Sequence, residues 1–234
     1  RASVSTAGDG YQNNDSATTS SVVYPPATFI PGIGDADTAS SSNSLPFNFY
    51  WKNSVSETIY LSSELQMSAG LVHSVIYVNN FTQNLTGQPL KIWMANTETA
   101  DLSAGWLEPS RYSLVFDGSI DFPLGVNTII IPLDNPFLFT GANLALRCHR
   151  PMDSVYYSNS NHFFYNNDTA FRNRSRYIQS DSTVYDPLAP SGTGTLSSSI
   201  PLTAFVVDQA EPLSLAAPQI SIQPQVNGMM LSWP

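Results

Sequence analysis

From residue 71 onward apolar and polar side chains alternate. Leu71, His73, Val75, Tyr77 and Asn79 share one face; Val72, Ser74, Ile76, Val78 and Asn80 share the other. Both sets begin apolar, which predicts a strand buried on most of its length. Ahead of it, 58–61 reads as a short strand. Ser62, Glu64 and Gly70 then frame one or two helical turns, with Ser62 as N-cap and Glu64 at the positive end of the dipole. Gly70 is placed as the residue that ends the helix at positive φ.

The same alternation recurs along the chain. It predicts strands at 45–51 (Phe47, Phe49 and Trp51 on one face), 89–96, 112–117, 126–133, 143–149 and 200–207. Shorter candidates lie at 153–157, 163–166, 174–179 and 183–186. The strand at 112–117 is expected to end in an Asp117-Gly118 turn, and 134–141 reads as a turn-rich link. Residues 81–88 and 97–110 are polar connections, the second carrying Trp106. No long amphipathic helix competes. The pattern predicts an all-β chain, an antiparallel jelly-roll-like β-sandwich with one short helix.

The chain divides by composition into a Ser/Thr-rich extended arm (1–42), the sandwich (43–207), a linker (208–218) and a second unit (219–234). In the arm, Pro25, Pro26 and Pro31 leave room for at most an edge strand. In 219–234 two strands flank Asn227-Gly228, and the second ends Leu231-Ser-Trp233. This resembles the opening of a fibronectin type III domain, where a Leu-x-Trp supplies the core tryptophan. Two strands cannot bury a sheet face alone, so the chain is expected to stop inside a further module. The opening Arg1-Ala-Ser-Val-Ser-Thr has no leader pattern, so an exported protein would be present here as a processed piece.

Residues 45–207 resemble a domain of large bacterial secreted and cell-surface multidomain proteins. The resemblance rests on Thr58-Ile-Tyr-Leu-Ser-Ser-Glu-Leu with Gly70, Val75-Ile-Tyr-Val, and Pro89-Leu-Lys-Ile-Trp-Met-Ala-Asn-Thr97. Gly125-Val-Asn-Thr-Ile and the segment from Leu133 through Asn135, Pro136 and Phe137 to Leu144 complete it. It implies an extracellular β-sandwich accessory module with no catalytic residues to carry over, and it leaves the arm unexplained.

Composition agrees with that setting. Charged residues make up 12% of 234, about half the usual ~25% of a globular chain. Ser, Thr, Asn, Gln and Tyr must therefore cover the surface. A net charge of -9 with nine Lys and Arg argues against nucleic acid, which needs clustered cations. Arg172, Arg174 and Arg176 form the one cluster and read as a solvated strand face. The single Cys148 lies in a strand-like run and reads as a core thiol. No apolar run is long enough to span a membrane.

Catalytic patterns are absent from the sequence. No Gly-x-Ser-x-Gly elbow accompanies the three histidines; His73 reads as a strand residue, His149 and His162 as loop-proximal polar groups. No pair of acids is singled out for glycoside hydrolysis. Structural calcium is the one cofactor the acids admit, through Asp35 and Asp37 or Asp117 and Asp121. Sugar stacking is the leading chemistry, with Trp106, Tyr156, Tyr157, Phe164 and Tyr165 as candidates and loop Asn, Asp and Arg for the hydroxyls. Five sequons (Asn14, Asn80, Asn84, Asn167, Asn173) reflect a composition rich in Asn and Thr. The expected role is a non-catalytic extracellular or cell-surface module for adhesion, spacing or assembly. A carbohydrate-binding module on an appended enzyme and a subunit of a fibre or surface layer are the alternatives. Partners would be a polysaccharide or a neighbouring protein module.

Overall fold

The computed structural model describes residues 39–42, 44–65, 67, 69–170 and 172–209. Of the chain ends it describes only the backbone of short strands: β1 (Ala2–Ser3), β2 (Ser16–Ala17), β3 (Thr28–Phe29), β4 (Gly32–Ile33), β17 (Ser221–Gln225) and β18 (Gly228–Ser232). Between them run β5 (Ser40–Ser42), β6 (Asn53–Tyr60), the one-turn α1 (Ser62–Leu65), β7 (Gly70–Phe81), β8 (Leu85–Thr97), β9 (Ser113–Phe122) and β10 (Gly125–Phe139). β11 (Asn143–Arg150), β12 (His162–Asn167), β13 (Ser175–Ser180), β14 (Thr195–Ser197), β15 (Ser199–Pro201) and β16 (Thr203–Gln209) follow.

These strands form two antiparallel sheets. One has the order β14-β13-β6-β11-β8-β9. The other is built around β7, which pairs with β10 along one side and with β16 and β12 along the other. β3 and β4 lie against β16, β5 and β15 against β12. β17 and β18 form a hairpin in which Gln225 faces Gly228. The all-β sandwich expected from the alternation is thus the observed fold, and β7 is its long buried strand.

Apolar side chains from both sheets meet in one core. It includes Tyr60, Val75, Tyr77, Leu90, Ile92, Ile131, Phe139, Leu146, Cys148 and Phe205. Phe49, Phe81, Phe122 and Phe163 contact one another with ring centroids 5.1–6.4 Å apart, mostly edge to face, the arrangement favoured by the ring quadrupole. A second cluster, Ile59, Leu61, Ala95, Leu102 and Ala145, lies with Leu107 and Tyr112 packed against it. Leu102 and Leu107 come from the 98–112 connection, so that loop covers the outer face of the six-stranded sheet.

Several local expectations are corrected. Gly70 does not close a helix at positive φ; it opens β7. A Cβ there would sit 2.4 Å from the Asp208 carbonyl oxygen and 2.8 Å from Val207 Cγ1, so close strand approach requires the glycine. Ser62 is the first helical residue, and the Glu64 carboxylate turns back to accept from the Leu61 amide at 3.0 Å, as the acid of a capping box does. β9 runs straight through Asp117-Gly118. β10 continues over the turn-prone Asp134-Asn135-Pro136, absorbing them in a register break between Pro132 and Phe137, the usual device for surplus residues in a ladder. Residues 45–51, 153–157 and 183–186 are not strands. There side chains supply the backbone bonds a ladder would supply: Ser54 Oγ accepts from the Asn48 amide, Asp153 from the Val155 amide, and Ser180 Oγ from the Thr183 amide.

Candidate functional site

Cross-strand register lines up one row on the outer face of the six-stranded sheet. Arg176 of β13 lies opposite Glu57 of β6, Glu57 opposite Arg147 of β11, and Arg147 opposite Trp93 of β8. Arg147 Nη2 donates to Glu57 Oε2 at 2.8 Å, with neither side chain exposed. Glu57 Oε1 accepts from the Tyr112 hydroxyl at 2.7 Å and the Leu107 amide at 3.2 Å. Arg147 also donates to the carbonyls of Leu107, Pro187 and Leu188. Its guanidinium lies 4.3 Å from the Tyr112 ring centroid and 5.7 Å from that of Trp106. Two loops, 98–112 and 181–194, are therefore strapped across the sheet by one buried arginine. Burial holds the Glu57 carboxyl above its ordinary range, against the opposing pull of Arg147 and Tyr112.

Arg176 is placed differently. It is 4% exposed, and its guanidinium donates to the carbonyls of Thr193 and Leu102. Among the described residues it has no carboxylate within ion-pair distance, and its Nε is buried without an acceptor.

Above Arg176 an open groove of about 490 Å³ separates the 103–106 loop from 192–196. Ser103, Ala104, Trp106, Thr193 and Leu196 line it with Arg176 and three glycines. The half-buried Trp106 donates its indole N–H to the Gly192 carbonyl at 3.0 Å, which fixes the ring. Arg176 lies 5.8 Å from its centroid. Gly194 has φ +65°, and a Cβ there would meet Tyr177 O at 2.8 Å and Trp106 Cζ2 at 2.9 Å; both the backbone and the ring require glycine.

The other sequence candidates lie elsewhere, so the five aromatics do not form one row. Tyr156 is 57% exposed and meets Tyr50 edge to face at 6.4 Å. Tyr157 packs on Phe49 at 6.3 Å, lies under Arg150, and accepts a hydrogen bond from Gln88 at its hydroxyl. Phe164 is half-buried on β12. Tyr165 shares a cleft of about 160 Å³ with Tyr177, Leu45 and the serines 42, 44, 197 and 199. Asp117 and Asp121 stand on β9 four residues apart and do not converge. Asp117 pairs with Lys91 at 2.7 Å, and Asp121 accepts from the Gly87 amide at 2.6 Å. Asp35 and Asp37 lie outside the described residues. Among the described residues no three His, Cys, Asp or Glu side chains gather, and no helix is long and apolar enough to cross a membrane.

The arginine cluster is not a solvated face. Arg174 is fully buried and makes a two-pronged pair with Glu64 at 2.6 and 2.9 Å, a bond to Asp168 at 2.7 Å, and two bonds to the Ile59 carbonyl. Arg172 donates through Nε and Nη2 to the same Oδ2 of Asp168 that Arg174 uses. Among the described residues four cations, Arg147, Arg150, Arg174 and Arg176, are buried. His149 is not loop-proximal either. It sits in β11, 6% exposed, with both ring nitrogens lacking a partner among the described residues and Trp93 at 6.3 Å. Burial and Lys91 push it down to about 4 against Asp186 and Asp117. Cys148 is the expected core thiol; burial pushes it up to about 12, beside the Tyr77 hydroxyl at 3.6 Å.

No family model and no curated protein matches the chain. Among solved structures it is similar to the clostridial cysteine protease Cwp84 after propeptide cleavage, at 9% identity and TM-score 0.44, over 80% of this chain and 41% of that one. It is also similar to the cysteine protease and lectin-like domains of Cwp84, a surface layer associated protein of Clostridium difficile. Here identity is 8% and the TM-score 0.39, over 68% of this chain and 32% of that one. The chain thus spans less than half the length of these neighbours, and likeness at this level carries no argument about what it does.

Proposed function

We propose that this chain is a non-catalytic extracellular β-sandwich module of a secreted or cell-surface multidomain protein, and that it works by binding a carbohydrate. The observation that carries the reading is the Trp106 groove. A fixed indole, hydroxyls of Ser103 and Thr193, the Arg176 side chain and glycine backbone line it, and among the described residues no carboxylate, imidazole or thiol joins the lining. Such a surface offers stacking and hydrogen bonds and no general acid or base. The strongly perturbed groups support the same reading from the other side. Glu57 and Asp168 are each closed on internal partners, and Cys148 is enclosed in the core. Tyr156 with Tyr50, and Tyr165 with its serine-lined cleft, are the secondary contact surfaces in this proposal.

The test is binding of the 234-residue chain to a panel of soluble glycans and insoluble polysaccharides, with and without calcium, with products followed by mass spectrometry. Saturable binding with the glycan recovered intact is expected. Release of shortened products would overturn the non-catalytic assignment. Absence of binding across the panel would leave a spacer or assembly role in its place.

A further inference from the structure

We infer that the Trp106 groove takes an acidic saccharide, a sugar ring bearing a carboxylate of the uronic acid kind. The inference rests on the carbohydrate-binding reading and adds the charge of the ligand.

Arg147 has Glu57, Arg150 has Asp153, and Arg174 has both Asp168 and Glu64. Arg176 alone among the described buried arginines has no carboxylate, although the chain carries 18 acids against nine Lys and Arg. A buried charge without a counter-ion is costly. The adjacent acid cannot serve, because Glu57 is spent on Arg147, Tyr112 and the Leu107 amide. Asp101, close in sequence to the groove lip, is turned back on the Ser103 amide at 2.8 Å. Of the two guanidinium groups beneath Trp106 one, Arg147, holds the carboxylate, and the surplus positive charge belongs to Arg176, the side chain that lines the groove.

The rest of the lining suits a sugar ring rather than a small free anion. Because the indole N–H is committed to Gly192, Trp106 offers its ring and not a donor. The groove of about 490 Å³ lies in the range of small-ligand sites, room for one or two sugar rings. Ser103 and Thr193 at opposite lips, with the amide groups of the glycines, are placed for hydroxyls. On a surface of net negative charge a local cation in a concave site selects anions and makes their binding salt-dependent.

Three probes separate the possibilities: a galacturonic acid trimer, its fully methyl-esterified form, and acetate. Titration calorimetry at two salt concentrations is the readout. The acid trimer is expected to bind at least tenfold more tightly than the ester and to weaken with salt, while acetate binds negligibly. Thr193→Glu sets a carboxylate at the exposed lip over Arg176; it should abolish acid-trimer binding without lowering the melting temperature. Ala104→Trp fills the groove and should abolish binding of acid and ester alike. Equal affinity for acid and ester would overturn the charge inference while leaving the carbohydrate reading in place. Tight acetate binding, or trimer binding unaffected by Ala104→Trp, would remove the groove as a saccharide site. No binding of either trimer, alongside binding of neutral glycans elsewhere on the panel, would also refute the acidic ligand.

Discussion

Arg147 and Glu57 face each other across adjacent strands at 2.8 Å, and neither side chain reaches solvent. The pair sits between the sheet and the two loops that cover it, so its energetics govern whether those loops stay down. Removing one partner leaves a buried charge unpaired, at a cost of about 3–5 kcal/mol. Glu57→Gln and Arg147→Met should each lower the urea unfolding free energy by that order. The double replacement should be less destabilised than the sum of the singles. Additive losses would show that the two residues act independently.

Asp168 gives the fold an acid limit. Burial alone would raise its carboxyl, but the bonds from Arg172 and Arg174 and the amides of Ala170 and Arg172 outweigh it. They hold the group down from 3.8 to about 2. A depressed carboxylate contributes stability that is complete above pH 3.8 and lost as pH falls toward 2, amounting to about 2 kcal/mol. Asp168→Asn should flatten the acid limb of the stability–pH curve and weaken the protein at pH 6, where the ion pairs are absent. An unchanged acid limb would assign that dependence to other carboxylates.

His149 acts in a higher window. Its pKa lies at about 4 when folded, below the ordinary 6.5, so the unfolded chain binds the extra proton between these values. Stability is therefore full above pH 7 and falls as pH drops from 6.5 toward 4, by about 2 kcal/mol at pH 5. His149→Phe removes the titration and the unpartnered ring nitrogens. The variant should gain on the parent at pH 5 relative to pH 8, read as a difference in urea midpoints. Parallel curves for the two proteins would rule out this role.

Gly70→Ala tests the seam between β7 and β16. The new methyl would lie 2.4 Å from the Asp208 carbonyl oxygen, a backbone atom held in the ladder by its pairing with β7. A loss of about 1–3 kcal/mol is expected, with faster amide exchange along 203–208. By contrast Gly87→Ala, at positive φ with open space around it, should cost no more than about 1 kcal/mol.

What the sequence determined by itself was the architecture. Two-residue alternation is a local signal, and it placed β7, β8, β11, β12, β13 and β16 because each strand's burial is written in its own residues. Trp106 was legible as a site candidate for the same reason: an aromatic in a polar loop stands out against its neighbours. Tertiary structure decided the fate of the charges. Whether Arg176 meets water or a covered sheet depends on Glu57 beside it and on loops 98–112 and 181–194 above it, and Glu57 and Arg147 are 90 residues apart. Alternation of Arg172, Arg174 and Arg176 predicts a shared strand face, but β13 begins only at Ser175, and the pattern says nothing about what covers each arginine. The available clue was scarcity, since three arginines in five residues is a third of all Lys and Arg in the chain. Likewise Gly70 signals backbone freedom in sequence, whereas its reason is the approach of the distant β16, whose Val207 and Asp208 leave no room for a Cβ. Local physics sets the period of a strand, and only long-range packing sets which charges are buried and which groove remains open.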